Sequence, residues 1–196
     1  MINQKTYILT ACAIIALFGV ICLFAACKKE NPNMNLDFDP ATLTDVSINI
    51  YKQERRLDLL SCGEVVASYK IGLGFAPEGH KQREGDGKTP EGEYYICTRN
   101  SRSRFYLSFG LSYPNIIDAE AALKEGAITQ KQYDSIEKSI NKQDQPDWYT
   151  PLGGEIMIHG HGSASDWTLG CIAVENEVMD ILWACCRLKT PVVVYP

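Results

Sequence analysis

The chain lacks any excess of basic charge, with 19 Lys and Arg against 24 Asp and Glu and a formal net charge of -5. Binding nucleic acid takes a basic stripe that releases counterions from phosphates, so nucleic acid drops out as a partner class. A mildly acidic surface favours solubility and names no substrate. Histidine is scarce too: the three are His80, His159 and His161. His159, His161 and Cys171 offer N and S ligands, but no fourth ligand follows at the short spacing of a closed structural zinc site. No metal or other cofactor is expected. There is also no internal repeat or low-complexity tract.

One long apolar run is present, from Tyr7 to Ala26, with Lys5 the lone charge before Cys27. A short basic region, an apolar core and small residues form an export signal. Its ending, Leu23, Phe24, Ala25, Ala26, Cys27, resembles a bacterial lipoprotein signal, which would make Cys27 the lipidated residue. Such signals carry Leu or a similar residue three places before the cysteine, where this chain has Phe24. An apolar run of about 20 residues can also span a bilayer, so an uncleaved transmembrane anchor is the other reading. Both place the following domain in the periplasm or otherwise outside the cytoplasmic membrane and tether it there. Residues 1–27 are read as signal or anchor, and 28–44, polar and with two prolines, as a flexible linker. Residues 45–196 then form one domain, expected to be monomeric.

Five of the eight cysteines fall in that domain: Cys62, Cys97, Cys171, Cys185 and Cys186. An odd count in an exported chain leaves at least one thiol unpaired within the molecule, and Cys171 is expected to be that thiol. Cys185 and Cys186, in an apolar helical run, are expected as buried thiols. Spacing does not decide whether Cys62 meets Cys97.

Alternating patterns predict strands over 46–53, 55–62 and 64–74, then 93–99 and 105–111. Gly85 to Gly92, GDGKTPEG, reads as a surface turn. Ile116 to Gln143 switches to helical composition, and Thr129 with Gln132 resembles a capping box, so two helices are expected over 117–125 and 130–141. That pair is either a solvated insertion or a lid over a cleft. A strand at 155–159, a helix at 175–188 and a closing strand at 192–195 complete a mainly β fold.

Ile156 to Asn176 reads IMIHGHGSASDWTLGCIAVEN and sets His159 twelve residues before Cys171. An apolar strand ending in an imidazole, and a thiol on a Gly-Cys turn, suit attack on a carbonyl. TPEG, FYLSFGLSYPN, TPLGGEIMIHG and DWTLGCIAVEN together resemble the YkuD-type L,D-transpeptidases of bacterial cell walls, particularly the murein-processing branch with a TPxGG lead-in and a WTxGCIA turn. The resemblance runs from about Val46 to Pro196. It implies a β-sandwich or open barrel of mixed strands with a two-helix insertion and a C-terminal helix.

The resemblance further implies that Cys171 acylates on peptidoglycan stem peptides through a thioester, with His159 as general base and the Gly160 carbonyl orienting it. Backbone N–H groups around Gly170 and Cys171 would hold the oxyanion, and Gly160 and Gly162 would allow the close turn after His159. Many members carry a histidine immediately before the Gly-Cys pair and an arginine or asparagine two residues after it; here those positions are Leu169 and Ala173. Trp167 and Asn176 would buttress the turn, or else pack as a core aromatic and an N-cap. Tyr113 is expected to line the acyl-donor cleft, and Arg104 and Asp166 to meet charged groups of the stem. His161 is a substrate contact, a second base or a loop side chain, and His80 is expected to be inert. The expected activity is L,D-transpeptidation in wall cross-linking or remodelling; the alternatives are a hydrolase of the same linkages, a metal-binding module and a non-catalytic wall-binding domain.

Overall fold

The computed structural model describes residues 37–196, so the expected signal, Cys27 and most of the expected linker lie outside the described residues. Among the described residues, no helix is long and apolar enough to cross a membrane. The period-two pattern after Asp45 builds a meander of β1 (Val46–Tyr51), β2 (Arg56–Ser61) and β3 (Glu64–Lys70). Its inward side chains, Ile48, Ile50, Leu57 and Leu59, are fully buried. Phe38 and Leu43 pack against this core, so part of the expected 28–44 linker belongs to the folded body.

The twelve-residue β4 (Gly92–Ser103) joins two halves of one eight-stranded sheet. Its first residues pair with β8 (Pro191–Tyr195), and its later ones with β5 (Tyr106–Leu111). Beyond β5 lie two short strands, β6 (Met157–His159) and β7 (Ile172–Ala173), giving the order β3-β2-β1-β8-β4-β5-β6-β7. The β1–β8 and β6–β7 pairs are parallel and the others antiparallel. Residues just past β3 then reach the far end: Gly72 exchanges backbone hydrogen bonds with Ala173, and Phe75 N–H donates to Thr168 O. The sheet therefore curls into the expected open barrel of mixed strands.

Helices α1 (Ile116–Lys124) and α2 (Gln130–Asn141) form the expected insertion, each opened by a capping box, Asn115 with Asp118 and Thr129 with Gln132. They bury a small core of their own, Ala119, Ala122, Ile128 and Ile136 with Leu152. The third helix, α3 (Asn176–Cys185), inserts Val178, Met179 and Leu182 into the main core. Cys185 and Cys186 are buried thiols, and among the described residues neither they nor Cys62 and Cys97 form a disulfide. The GDGKTPEG segment departs from the expected surface turn. Gly87, Thr89 and Pro90 are buried, because this loop backs onto the turn that carries Cys171.

Candidate active site

His159 ends β6 with its backbone paired to Ser108 of β5, and its side chain is 2% exposed. Phe105 stacks on the imidazole at 4.7 Å between ring centroids, and Trp167 meets it edge-on at 5.5 Å. The Nδ1 atom lies 2.7 Å from Gly160 O. A carbonyl only accepts, so Nδ1 carries the proton and Nε2 of the neutral ring is left as an acceptor. Burial pulls the imidazole pKa below its ordinary 6.5, opposed by the Gly160 carbonyl and reinforced by nearby His161.

Cys171 sits on the turn entering β7, half-buried at the wall of a cavity of about 710 Å³ that His159 also lines. Its sulfur accepts from Met157 N–H at 3.4 Å and faces Glu155 O at 3.5 Å. Burial raises the thiol pKa; Met157 N–H and Lys81 oppose the rise, and Glu155 adds to it. At neutral pH the site thus holds a protonated thiol and an unprotonated imidazole. The turn itself is tied by Thr168, whose hydroxyl donates to Cys171 O at 2.7 Å and accepts from Gly170 N–H at 3.1 Å. Gly170 has φ +132, and a Cβ there would lie 2.6 Å from Lys88 O, so the position demands glycine on two counts. The Gly170 N–H is therefore already used, while the Cys171 N–H has no partner among the described residues.

A histidine ending one short strand and a cysteine on the turn entering its neighbour, both lining one cavity, lie within residues 45–194, which match the YkuD family, described as the L,D-transpeptidase catalytic domain. The chain belongs to this family. It is 42% identical over 142 residues to YafK of Escherichia coli (strain K12), provisionally named an L,D-transpeptidase, covering 69% of this chain and 44% of YafK. The helical cell shape determining protein Pgp2 of Campylobacter jejuni is similar at 25% identity and a TM-score of 0.51, over 76% of this chain and 46% of Pgp2. Bd1075 of Bdellovibrio bacteriovorus shares the fold at 21% identity and a TM-score of 0.52, over 78% of this chain and 48% of Bd1075. The chain spans less than half the length of each of these relatives.

This YkuD domain brings together His159, Cys171, Trp167 and Arg104 at the cavity and keeps other expected residues away from it. Tyr113 does not line the cleft: it is fully buried, and its hydroxyl donates to Leu152 O at 3.2 Å. Asp166 is consumed by Arg55 and by Leu73 N–H, so it staples the cysteine loop to the meander. His161 is exposed on a shallow neighbouring surface, edge-on to Phe105. Asn176 is not the N-cap; Glu175 holds that position without a side-chain cap bond, because its carboxylate accepts from Ser163 instead. Asn176 accepts from His161 N–H, so both residues brace the HGHGS loop. His80 lies in the loop expected, but it bridges Asp118 and Glu91 N–H. The leucine and alanine departures also have places: Leu169 is 77% exposed on the cavity wall, and Ala173 is buried in the β6–β7 pairing.

Sequence reasoning missed Phe105, Thr168, Met157 and Glu155. Thr168 was within reach, as a hydroxyl two residues before a glycine in a tight turn. Phe105 carries no signal beyond following Arg104. Met157 and Glu155 act through backbone atoms, which no side-chain pattern encodes.

Proposed function

We propose that the domain is a cysteine L,D-transpeptidase acting on peptidoglycan stem peptides, with Cys171 as nucleophile and His159 as general base. The observation that carries this is the hydrogen bond from His159 Nδ1 to Gly160 O on an imidazole that shares its cavity with Cys171, since it leaves Nε2 free to take a proton. Both groups are neutral at rest, so proton transfer to Nε2 accompanies attack of sulfur on the carbonyl of an L-centre. The free Cys171 N–H donates to the oxyanion, and losing such a donor typically costs about 2.7 to 4 kcal/mol. Collapse breaks the C–N bond, and the imidazolium returns its proton to the departing D-residue. A thioester remains. An acceptor amine, deprotonated by His159, then displaces the sulfur and closes the cross-link.

The same reading places the protein in the cell envelope, tethered through Cys27 as a lipoprotein and working as a monomer. Names among its relatives support the wall as the setting: YafK is provisionally an L,D-transpeptidase, and Pgp2 determines helical cell shape. Incubation of the protein with purified muropeptides, followed by product masses, tests it. Loss of a terminal D-residue with dimer formation is expected. Shortened monomers without dimers would make the enzyme a hydrolase, and no change with any muropeptide would sink both.

A further inference from the structure

The segment entering β6 is shaped around the sulfur. Gly153 has φ +77, and a Cβ there would press on Glu84, 3.2 Å from its Cα, so the chain closes tightly against the 81–86 loop. Two residues on, Glu155 adopts φ 53, a left-handed conformation that costs a residue with a Cβ. That turn aims the Glu155 carbonyl at Cys171 Sγ, 3.5 Å away, and Met157 N–H at the same sulfur. Glu155 is an exposed residue in the lining of the cavity.

Of the other acidic groups near the cysteine, Asp86, Asp166 and Glu175 are spent on structure, whereas Glu84, which also lines the cavity, has no ion pair among the described residues. Asp86 accepts from Lys81 and from the N–H groups of Gln82, Arg83 and Lys88. Asp166 is paired with Arg55, and Glu175 is bound to Ser163. The Glu155 carboxylate has no hydrogen bond or ion pair among the described residues. It is an open negative charge on the residue whose backbone touches the nucleophile.

We propose that Glu155 is a specificity-determining residue that receives a free ammonium group of the substrate beside Cys171, so that a stem peptide with a side-chain amine reacts faster than its neutral counterpart. This rests on the acyl-transfer reading. The carboxylate disfavours a thiolate next to it, whereas an arriving ammonium cancels that charge and releases the sulfur for attack. The titratable and charged groups that share the thiol's cavity are Glu155, His159, Glu84, Arg102, Arg104 and Lys81, the last held by Asp86. Burial keeps the thiol of the empty site protonated and Glu155 adds to that, so a cationic substrate removes the part that the carboxylate adds.

The test uses the full chain with two tetrapeptide stems, one carrying a free side-chain amine on its third residue and one acetylated there. Release of the terminal D-residue is expected to be about tenfold faster with the amine, the scale of one hydrogen bond between charged groups, and to become equal for the two peptides in Glu155→Gln. In the same variant, iodoacetamide alkylation of Cys171 should begin at lower pH than in the parent. Equal rates in the parent overturn the proposal without any variant. Preference retained in Glu155→Gln, or an unmoved alkylation profile, overturns it too. If the parent releases no D-residue from either peptide, the acyl-transfer reading fails and this proposal falls with it.

Discussion

The two halves of the sheet differ in what they leave unpaired. In the half formed by β3, β2, β1 and β8, strands of five to seven residues pair along most of their length and bury Ile48, Ile50, Leu57, Leu59, Val192 and Val194. In the other half, the β4–β5 ladder carries two register shifts against one in β2–β3, β6 has three residues and β7 has two. Short ladders release backbone groups for other work. Gly160 O holds the imidazole, Met157 N–H and Glu155 O meet the sulfur, and Cys171 N–H has no partner among the described residues. The first half supplies rigidity, and the second spends hydrogen-bonding capacity on the site.

Substitutions should separate these roles, most sharply at the sulfur. Cys171→Ala is expected to lower turnover of muropeptides at least about 10⁴-fold, as loss of a nucleophile does, while leaving the melting temperature near that of the parent. A variant that still forms dimers by product mass would remove Cys171 from the chemistry.

Leu57→Ala should do the reverse. Leu57 is fully buried in the β1–β2 pair, remote from the cavity, and such truncations cost about 2 to 5 kcal/mol. Denaturant unfolding should show that loss, with turnover per folded molecule unchanged. Turnover falling in step with stability would mean that the two halves are not separable.

Gly170→Ala tests the boundary between them. A Cβ would strike Lys88 O, and φ +132 is strained for alanine, so the cysteine turn must move. We expect about 10²-fold slower acylation, comparable to losing one oxyanion donor, with a stability loss smaller than that of Leu57→Ala. Normal acylation in this variant would show that the shape of the turn is not needed.

The same contrast explains what the sequence made legible. Period-two alternation showed the meander, and composition with the Thr129–Gln132 box showed the helices, because burial and capping act through side chains. The His159 and Cys171 spacing and the glycine before the cysteine marked the site for the same reason. Tyr113 and Asp166 were misplaced because a buried hydroxyl and a structural ion pair look, in sequence, like cleft residues. Asn176 failed as a cap because Glu175 and the HGHGS loop set up longer-range bonds that no local pattern carries. Backbone contacts to the sulfur were invisible for the same reason.

The smallest expected effect is a pH dependence that only the second half should generate. His159 is buried against Phe105 and Trp167, and burial holds its pKa below 6.5. As pH falls past 6.5, the unfolded chain takes this proton first, so the unfolded state binds more protons and stability declines until the folded pKa is reached. Its slope cannot exceed about 1.4 kcal/mol per pH unit for one group. Urea midpoints at pH 7.5 and 5.5 should therefore differ less in His159→Gln than in the parent, after allowance for the change at pH 7.5. An equal decline in both proteins would mean that the imidazole takes up its proton in the folded state as readily as in the unfolded chain, leaving Nε2 charged and unable to act as a base over that range.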